Sequence, residues 1–211
     1  MILDRLFAAG YDVIFQRAER GGLTAMRAEA IGDLSGTVVE LGAGTGLNLA
    51  HYPAAVDRLI ATEPDPHMVK RLRAKVAAGE GGGPERVTVA QAGGERLPLQ
   101  DGEADAIVCT LVLCTAPDVP GVLAEAVRVL KPGGRFRFVE HVRADGHRHA
   151  AWQDRLNRPW GALAGGCNAN RDTLAALRAA PGLEVRGVRD DSFPGVPALV
   201  RPLIRGEAVR V

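Results

Sequence analysis

The chain has 211 residues, of which 46% are apolar and 24% charged, with a formal net charge of +1. That is enough apolar material for one sizeable core, and Lys and Arg spread along the chain argue against a nucleic-acid groove or a polybasic membrane patch. Three cysteines, Cys109, Cys114 and Cys167, form neither an even disulfide framework nor a C-x-x-C pair, so reduced thiols and a cytoplasmic location are expected.

Residues 2–30 place Leu3, Leu6, Phe7, Ile14, Leu23 and Met26 at helical spacing, broken by Gly10 and by Gly21-Gly22, which predicts two lead-in helices. Asp4, Arg5 and Asp12 interrupt the apolar run well short of the roughly 20 residues a membrane span needs. An amphipathic helix is expected there, and no span. From Thr37 short β-rich runs alternate with helical segments: TVVEL, then 46–52; RLIATE, then 66–78; RVTVAQ; ADAIVCTLV, then 118–130; GRFRFVEHV. This order predicts crossover connections and an α/β fold, a parallel sheet with helices on both faces. The tail carries a helical stretch at 171–180, then GLEVRGVRD and IRGEAVRV with no crossover-length helix between them, which predicts a closing antiparallel hairpin. No linker divides the chain, and AAGEGGGPER (77–86) is read as a loop.

The strand VVEL runs directly into GAGTG, so the turn lies at the carboxyl edge of the sheet, where open α/β folds bind ligands. Gly42, Gly44 and Gly46 permit positive φ and close approach of backbone to ligand. The third glycine comes one residue too early for the dinucleotide pattern G-x-G-x-x-G. Glu40 stands two residues before Gly42, where a carboxylate repels a pyrophosphate and favours a cation. Glu63 ends the next strand 21 residues after Gly42, near the offset at which an acid holds ribose hydroxyls. A nucleoside with a free ribose and a cationic end is S-adenosylmethionine.

These features resemble the class I S-adenosylmethionine-dependent methyltransferases over about residues 36–142, through AQAGGERLPLQDGEADAIVCTLVLC and VLKPGGRFRFVEHV. CTLVLC, EHV, WQDRLNRPW, GCNANR and LVRPLIRGEAV are similar to the thiol S-methyltransferase branch of the methyltransferase-like proteins. The resemblance implies a three-layer Rossmann-like fold with a mostly parallel seven-stranded sheet. It divides the chain into lid helices (1–35), a cofactor core (36–142) and acceptor-site helices with closing strands (143–211). It implies that Gly42, Ala43, Gly44, Thr45 and Gly46 wrap the methionine part and that Glu63 holds the ribose, with Glu40 and Asn48 also read as cofactor-binding. Pro64 and Met68 flank the adenine, Gly93 and Glu95 lie near its amino edge, and Cys109, Thr110 and Leu111 offer backbone. Membrane-bound members of that branch carry a hydrophobic N-terminal segment that residues 1–35 do not resemble, so a soluble enzyme is expected, and Glu63 stands where aspartate is common.

Methyl transfer chiefly requires alignment, and a thiolate meeting a sulfonium is favoured by a dry pocket; Trp152, Trp160 and Phe193 are expected to line it. His141, directly after RFVE, is the expected catalytic residue, helping deprotonation or orienting the acceptor, or else a histidine that only hydrogen-bonds a neighbouring loop. Tyr11 and Asp12 are read as parts of a lid, with Tyr11 touching substrate, or else as residues of an ordinary surface helix. Asn168 and Arg171 are read as acceptor contacts, or else as a cap for a helix starting near Asn170 and a solvated side chain. DGHRH (145–149) is read as an exposed polar loop and no metal site is expected; Cys109 and Cys114 are read as small core residues. The partner is thus a small-molecule acceptor, a thiol first. Transfer to nitrogen or oxygen of a phospholipid head group or natural product, nicotinamide-dependent oxidoreduction, and cofactor binding without turnover are the rival readings.

Overall fold

The structure, a computed structural model, describes residues 16–80, 84 and 86–211. The first lead-in helix, with Tyr11 and Asp12, lies outside the described residues. The second is present as a π-turn at Glu19–Leu23, kinked at Gly22, which runs into helix α1 (Thr24–Ile31).

Seven strands form one sheet: β1 (Gly36–Leu41), β2 (Val56–Thr62), β3 (Val87–Ala90), β4 (Ala104–Thr110), β5 (Leu130–His141), β6 (Leu183–Ser192) and β7 (Pro202–Arg210), in the order β3-β2-β1-β4-β5-β7-β6. The first five are mutually parallel, and β7 runs antiparallel between β5 and β6. The crossover chain and the closing hairpin are therefore both as expected. Helices α2 (Pro66–Ala77), α3 (Val119–Val129), α4 (His147–Leu163) and α5 (Thr173–Ala179) complete the architecture.

Alternation along the central strands sends side chains to opposite faces. Val39, Leu41, Ile107 and Cys109 enter one apolar cluster with Val122, Leu123 and Ala126 of α3, while Val38, Ala106 and Val108 enter another with Ile31, Leu59 and Leu72. Being covered on both faces, β1 and β4 read as nearly continuous apolar runs. The helices start where local chemistry supplies the orphan amides: Asp65 accepts from the His67 and Met68 N–H groups ahead of α2, Asp118 from Gly121, and Asp172 from Ala175.

Two expectations fail locally. No α-helix forms at 46–52; the chain turns through Gly44–Asn48 into a short 3₁₀ turn, Leu49–His51. Gly46 sits at φ 82°, which is not helical, and Pro53 closes the segment. DGHRH is not a loop throughout, since His147 opens α4 after Gly146. Among the described residues, no helix is long and apolar enough to cross a membrane.

Candidate active site

The order of strands reverses between β1 and β4, and a crevice opens at the carboxyl ends of strands at such a point. The glycine turn after β1 lies there. Gly42, Gly44 and Gly46 all have positive φ, at 55°, 56° and 82°. A Cβ on Gly42 would lie 2.7 Å from Val112 Cγ2, and one on Gly46 2.8 Å from Leu49 and Leu72 Cδ1. Those two glycines answer to packing as well as to conformation. A Cβ on Gly44 meets nothing within 4 Å, so its backbone faces open space. Ala43 and Thr45 are buried.

Glu63 is joined to this turn. Its Oε2 accepts from the Gly44 N–H and its Oε1 from the Asp65 N–H, both at 2.9 Å. A carboxylate has about four acceptor positions, so two remain for ribose hydroxyls. Burial is the main influence on Glu63 and raises its pKa, against the two backbone donors. The Glu63 carbonyl also accepts from the Ala92 N–H at 3.2 Å, which brings the loop of Gly93 and Glu95 beside the end of β2. Met68 is buried in the first turn of α2, while Pro64 is exposed. The open space at Gly44 and the spare acceptor sites of Glu63 fit an adenosine with an unmodified ribose.

Glu40 lies beneath the turn and is 2% exposed. Its Oε1 accepts from Asn48 Nδ2 at 3.0 Å and its Oε2 from the Tyr52 hydroxyl at 2.8 Å. Asn48 in turn accepts from Arg27 Nη1 at 2.8 Å, donates to Thr110 Oγ1 at 3.3 Å, and Arg27 pairs with Glu19 at 2.9 Å. Desolvation lifts the Glu40 pKa to about 7, against the Tyr52 bond and the Arg27 charge. Arg27 did not stand out in the sequence because it lies in an ordinary helical context 15 residues before Gly42, and Tyr52, although close to the glycine turn, carries no signal that its hydroxyl is directed at Glu40.

At the end of β4, Leu111 adopts φ 59°, the one positive φ outside glycine among the described residues. A bulky residue there is strained. Glu140 explains how the turn holds: buried completely, it accepts from the N–H groups of Val112 (2.7 Å), Leu113 (3.1 Å) and Cys114 (3.4 Å) and from the Cys109 thiol (3.3 Å). Its signal in the sequence is an acid within an otherwise apolar strand end.

Past Glu140, His141 is 3% exposed, with Nε2 2.8 Å from Cys167 Sγ and Nδ1 buried without a hydrogen-bond partner. Trp160 Nε1–H donates to the same sulfur at 3.2 Å. The Cys114 thiol, which donates to the Leu111 carbonyl at 3.5 Å, is close enough that its influence, with those of His141 and Trp160, pulls Cys167 well below the usual thiol range despite burial, while Cys114 moves the opposite way. Cys114 is thus more than a core filler.

The other acceptor-side expectations resolve differently. Asn168 donates from Nδ2 to the Cys114 carbonyl at 3.1 Å, and Arg171 donates to the carbonyls of Leu113 and Ala116. Both fasten the 166–171 segment to the turn after β4; α5 is capped by Asp172 instead, and Arg171 is not merely solvated. Trp152 does not join Trp160: it is 43% exposed and lies against the His149 ring. Trp160 packs against the cluster of Ala169, Leu199 and Val200, as Val196 does, and a cavity of about 610 Å³ is lined by Arg17, Ser192, Phe193, Val196, Pro197 and Arg201. Gln153, fully buried, donates to the Val142 and Leu199 carbonyls and accepts from the Ala144 N–H.

A doubly wound sheet with a bare glycine turn at its switch point and a carboxylate bonded to that turn fits an S-adenosylmethionine-dependent methyltransferase, the class to which its likeness to known proteins assigns it. A methyltransferase-domain family model matches residues 39–138. Human thiol S-methyltransferase TMT1A is 37% identical over 175 residues, 82% of this chain and 70% of that protein, and rat thiol S-methyltransferase TMT1B is 37% identical over 188 residues, 85% and 75%. In fold, a Thermotoga maritima S-adenosylmethionine-dependent methyltransferase, a possible histamine N-methyltransferase, superposes with a TM-score of 0.70 at 20% identity over 99% of each chain. The chain belongs to the family of the thiol S-methyltransferases.

Proposed function

We propose that this enzyme methylates the sulfur of a small-molecule thiol. The observation that carries this reading is the extent of the likeness: the alignment with human TMT1A runs over 175 residues at 37% identity, longer than the cofactor core of 36–142, which supports a likeness that extends to the proposed acceptor side. When bound, S-adenosylmethionine supplies an activated methyl group on a sulfonium. The chain's own task is then alignment, worth up to roughly 7–11 kcal/mol where it is good, and exclusion of water. Glu63 and the Gly44 backbone hold the nucleoside, and Glu40, below the turn, favours the cationic end. The apolar cluster of Ala169, Leu199 and Val200, against which Trp160 and Val196 both pack, supports an acceptor with an apolar part, and the cavity lined by Phe193 and Val196 together with Arg17, Ser192 and Arg201 has room for a polar part as well. A free thiol with a pKa of about 8.5 needs only modest help to ionise, and His141, beside Cys167, is proposed to orient the acceptor sulfur. The three buried free thiols suit a reducing, cytoplasmic setting.

Incubation with methyl-labelled S-adenosylmethionine and matched thiol, amine and phenol acceptors tests the proposal. Label is expected in the thioether; label only in the amine or phenol product would defeat the sulfur assignment.

A further inference from the structure

Cys114, His141 and Cys167 come from three separate places in the chain: the turn after β4, the end of β5 and the loop between α4 and α5. Their ligand-type atoms all lie within 4.8 Å of one another, and all three residues are buried. We infer that these residues form a binding site for a thiophilic divalent cation, zinc foremost, with a fourth position left for the sulfur of the acceptor. The second half of this inference rests on the thiol reading above; the first does not.

The donor set is the one that chemistry selects. Two thiolates and an imidazole suit zinc, and three protein ligands with one open position mark catalytic rather than structural zinc sites. Zinc–sulfur bonds near 2.3 Å and zinc–nitrogen bonds near 2.0–2.1 Å put tetrahedral ligand atoms about 3.5–3.8 Å apart. His141 Nε2 and Cys167 Sγ, now 2.8 Å apart, need to open by roughly 0.7 Å to admit the ion. Two thiolates balance the ion's charge, whereas the buried Glu140 carboxylate beside them makes uncompensated thiolates costly.

The surroundings hold the three residues in place, as a metal site requires. Glu140 grips the amides of Val112, Leu113 and Cys114. The Asn168 backbone and side chain both donate to the Cys114 carbonyl, at 2.9 and 3.1 Å, which locks the residue after Cys167 onto the residue that carries the first sulfur. Trp160 Nε1–H on Cys167 Sγ is a donor of the kind that steadies a ligating sulfur.

The chemistry balances without a further reactant. The acceptor sulfur gives its proton to solvent as it coordinates, and the bound sulfur is a thiolate at neutral pH. A remaining lone pair forms the new bond to the methyl carbon, and the electrons of the carbon–sulfonium bond stay with the departing sulfur. The neutral thioether product is a weak ligand and leaves.

The test uses the full chain stripped of metal by chelator and dialysed. Titration with Co²⁺ alone is expected to give a sulfur-to-cobalt charge-transfer band and tetrahedral ligand-field bands, displaced by one equivalent of Zn²⁺. Cys114→Ser and Cys167→Ser are each expected to lose the charge-transfer band while calorimetry shows that S-adenosylmethionine still binds, which separates loss of the site from loss of fold. Adding 2-mercaptoethanol, but not ethanolamine, is expected to shift the ligand-field bands. No cobalt spectrum in the wild-type chain, with thiol methylation undiminished after chelation, overturns the metal site and leaves the thiol reading intact. A normal cobalt spectrum indifferent to thiol, with label passing only to amines, overturns the acceptor position and the thiol reading together while the metal site stands.

Discussion

Glu40→Gln keeps the shape of a side chain that is 2% exposed and removes its charge. The amide oxygen accepts from Asn48 as the carboxylate did, and the Tyr52 hydroxyl can rotate to accept from the new NH₂ group. The wild-type group has its pKa raised from 4.5 to about 7 by burial. Between those two values the folded chain holds a proton that the unfolded chain has released, so ν_U − ν_N is negative and stability falls as pH rises through the window. A difference of this size is worth about 3 kcal/mol in full, of which about 2–3 kcal/mol falls between pH 5 and 8. Urea unfolding of both proteins at pH 5, 6, 7 and 8 measures it. The wild type is expected to lose about 2–3 kcal/mol relative to Glu40→Gln across that range, because the variant has no proton to lose. With a cationic cofactor above it, ionised Glu40 is favoured, so wild-type cofactor affinity rises from pH 6 to 8 and that of the variant does not. Parallel unfolding curves at every pH would refute the reasoning from burial.

Glu63→Ala removes the acceptor proposed for the ribose; each charged hydrogen bond lost costs about 1.5–3 kcal/mol, so calorimetry is expected to show affinity for S-adenosylmethionine weakened by at least about tenfold with the fold retained. Unchanged affinity removes Glu63 from the site. Gly44→Ala and Gly42→Ala separate binding from packing: both meet positive φ at a cost of roughly 1–2 kcal/mol, but only at Gly42 does the new Cβ collide, with Val112 Cγ2 at 2.7 Å. Thermal melts should place Gly42→Ala clearly below Gly44→Ala, whereas Gly44→Ala loses cofactor affinity; equal melting temperatures would contradict this division. Arg171→Ala strips the donor from the Leu113 and Ala116 carbonyls and is expected to cost about 1–3 kcal/mol of stability, measured by urea unfolding. A raised KM with unaltered stability would return Arg171 to the acceptor-contact role.

The cofactor half was legible because its signals are local. Apolar β-branched runs bounded by turn residues marked β1 to β5, and the spacing of Glu40, the glycines and Glu63 marked a nucleoside turn from residues close together in the chain. The acceptor half depends on contacts that spacing does not encode. Gln153 and Asn157 occupy inward positions of α4 and bond to the backbone of Val142, Leu199 and Ala169, so polar residues sit where a helical pattern is read from apolar ones. Asn168 and Arg171, polar and in a loop, look like ligand contacts yet fasten one loop to another. The meeting of Cys114, His141 and Cys167 is a product of topology: the last lies 26 residues beyond the histidine, and no C-x-x-C or paired-histidine spacing announces it.

Methyl transfer to a thiol is tested most directly by following labelled methyl from S-adenosylmethionine with the purified chain and three acceptors that differ only in bearing –SH, –NH₂ or –OH. Thioether formation outpacing the other two products is the predicted result. Equal or greater label in the amine or hydroxyl product, with S-adenosylmethionine tightly bound, would contradict it.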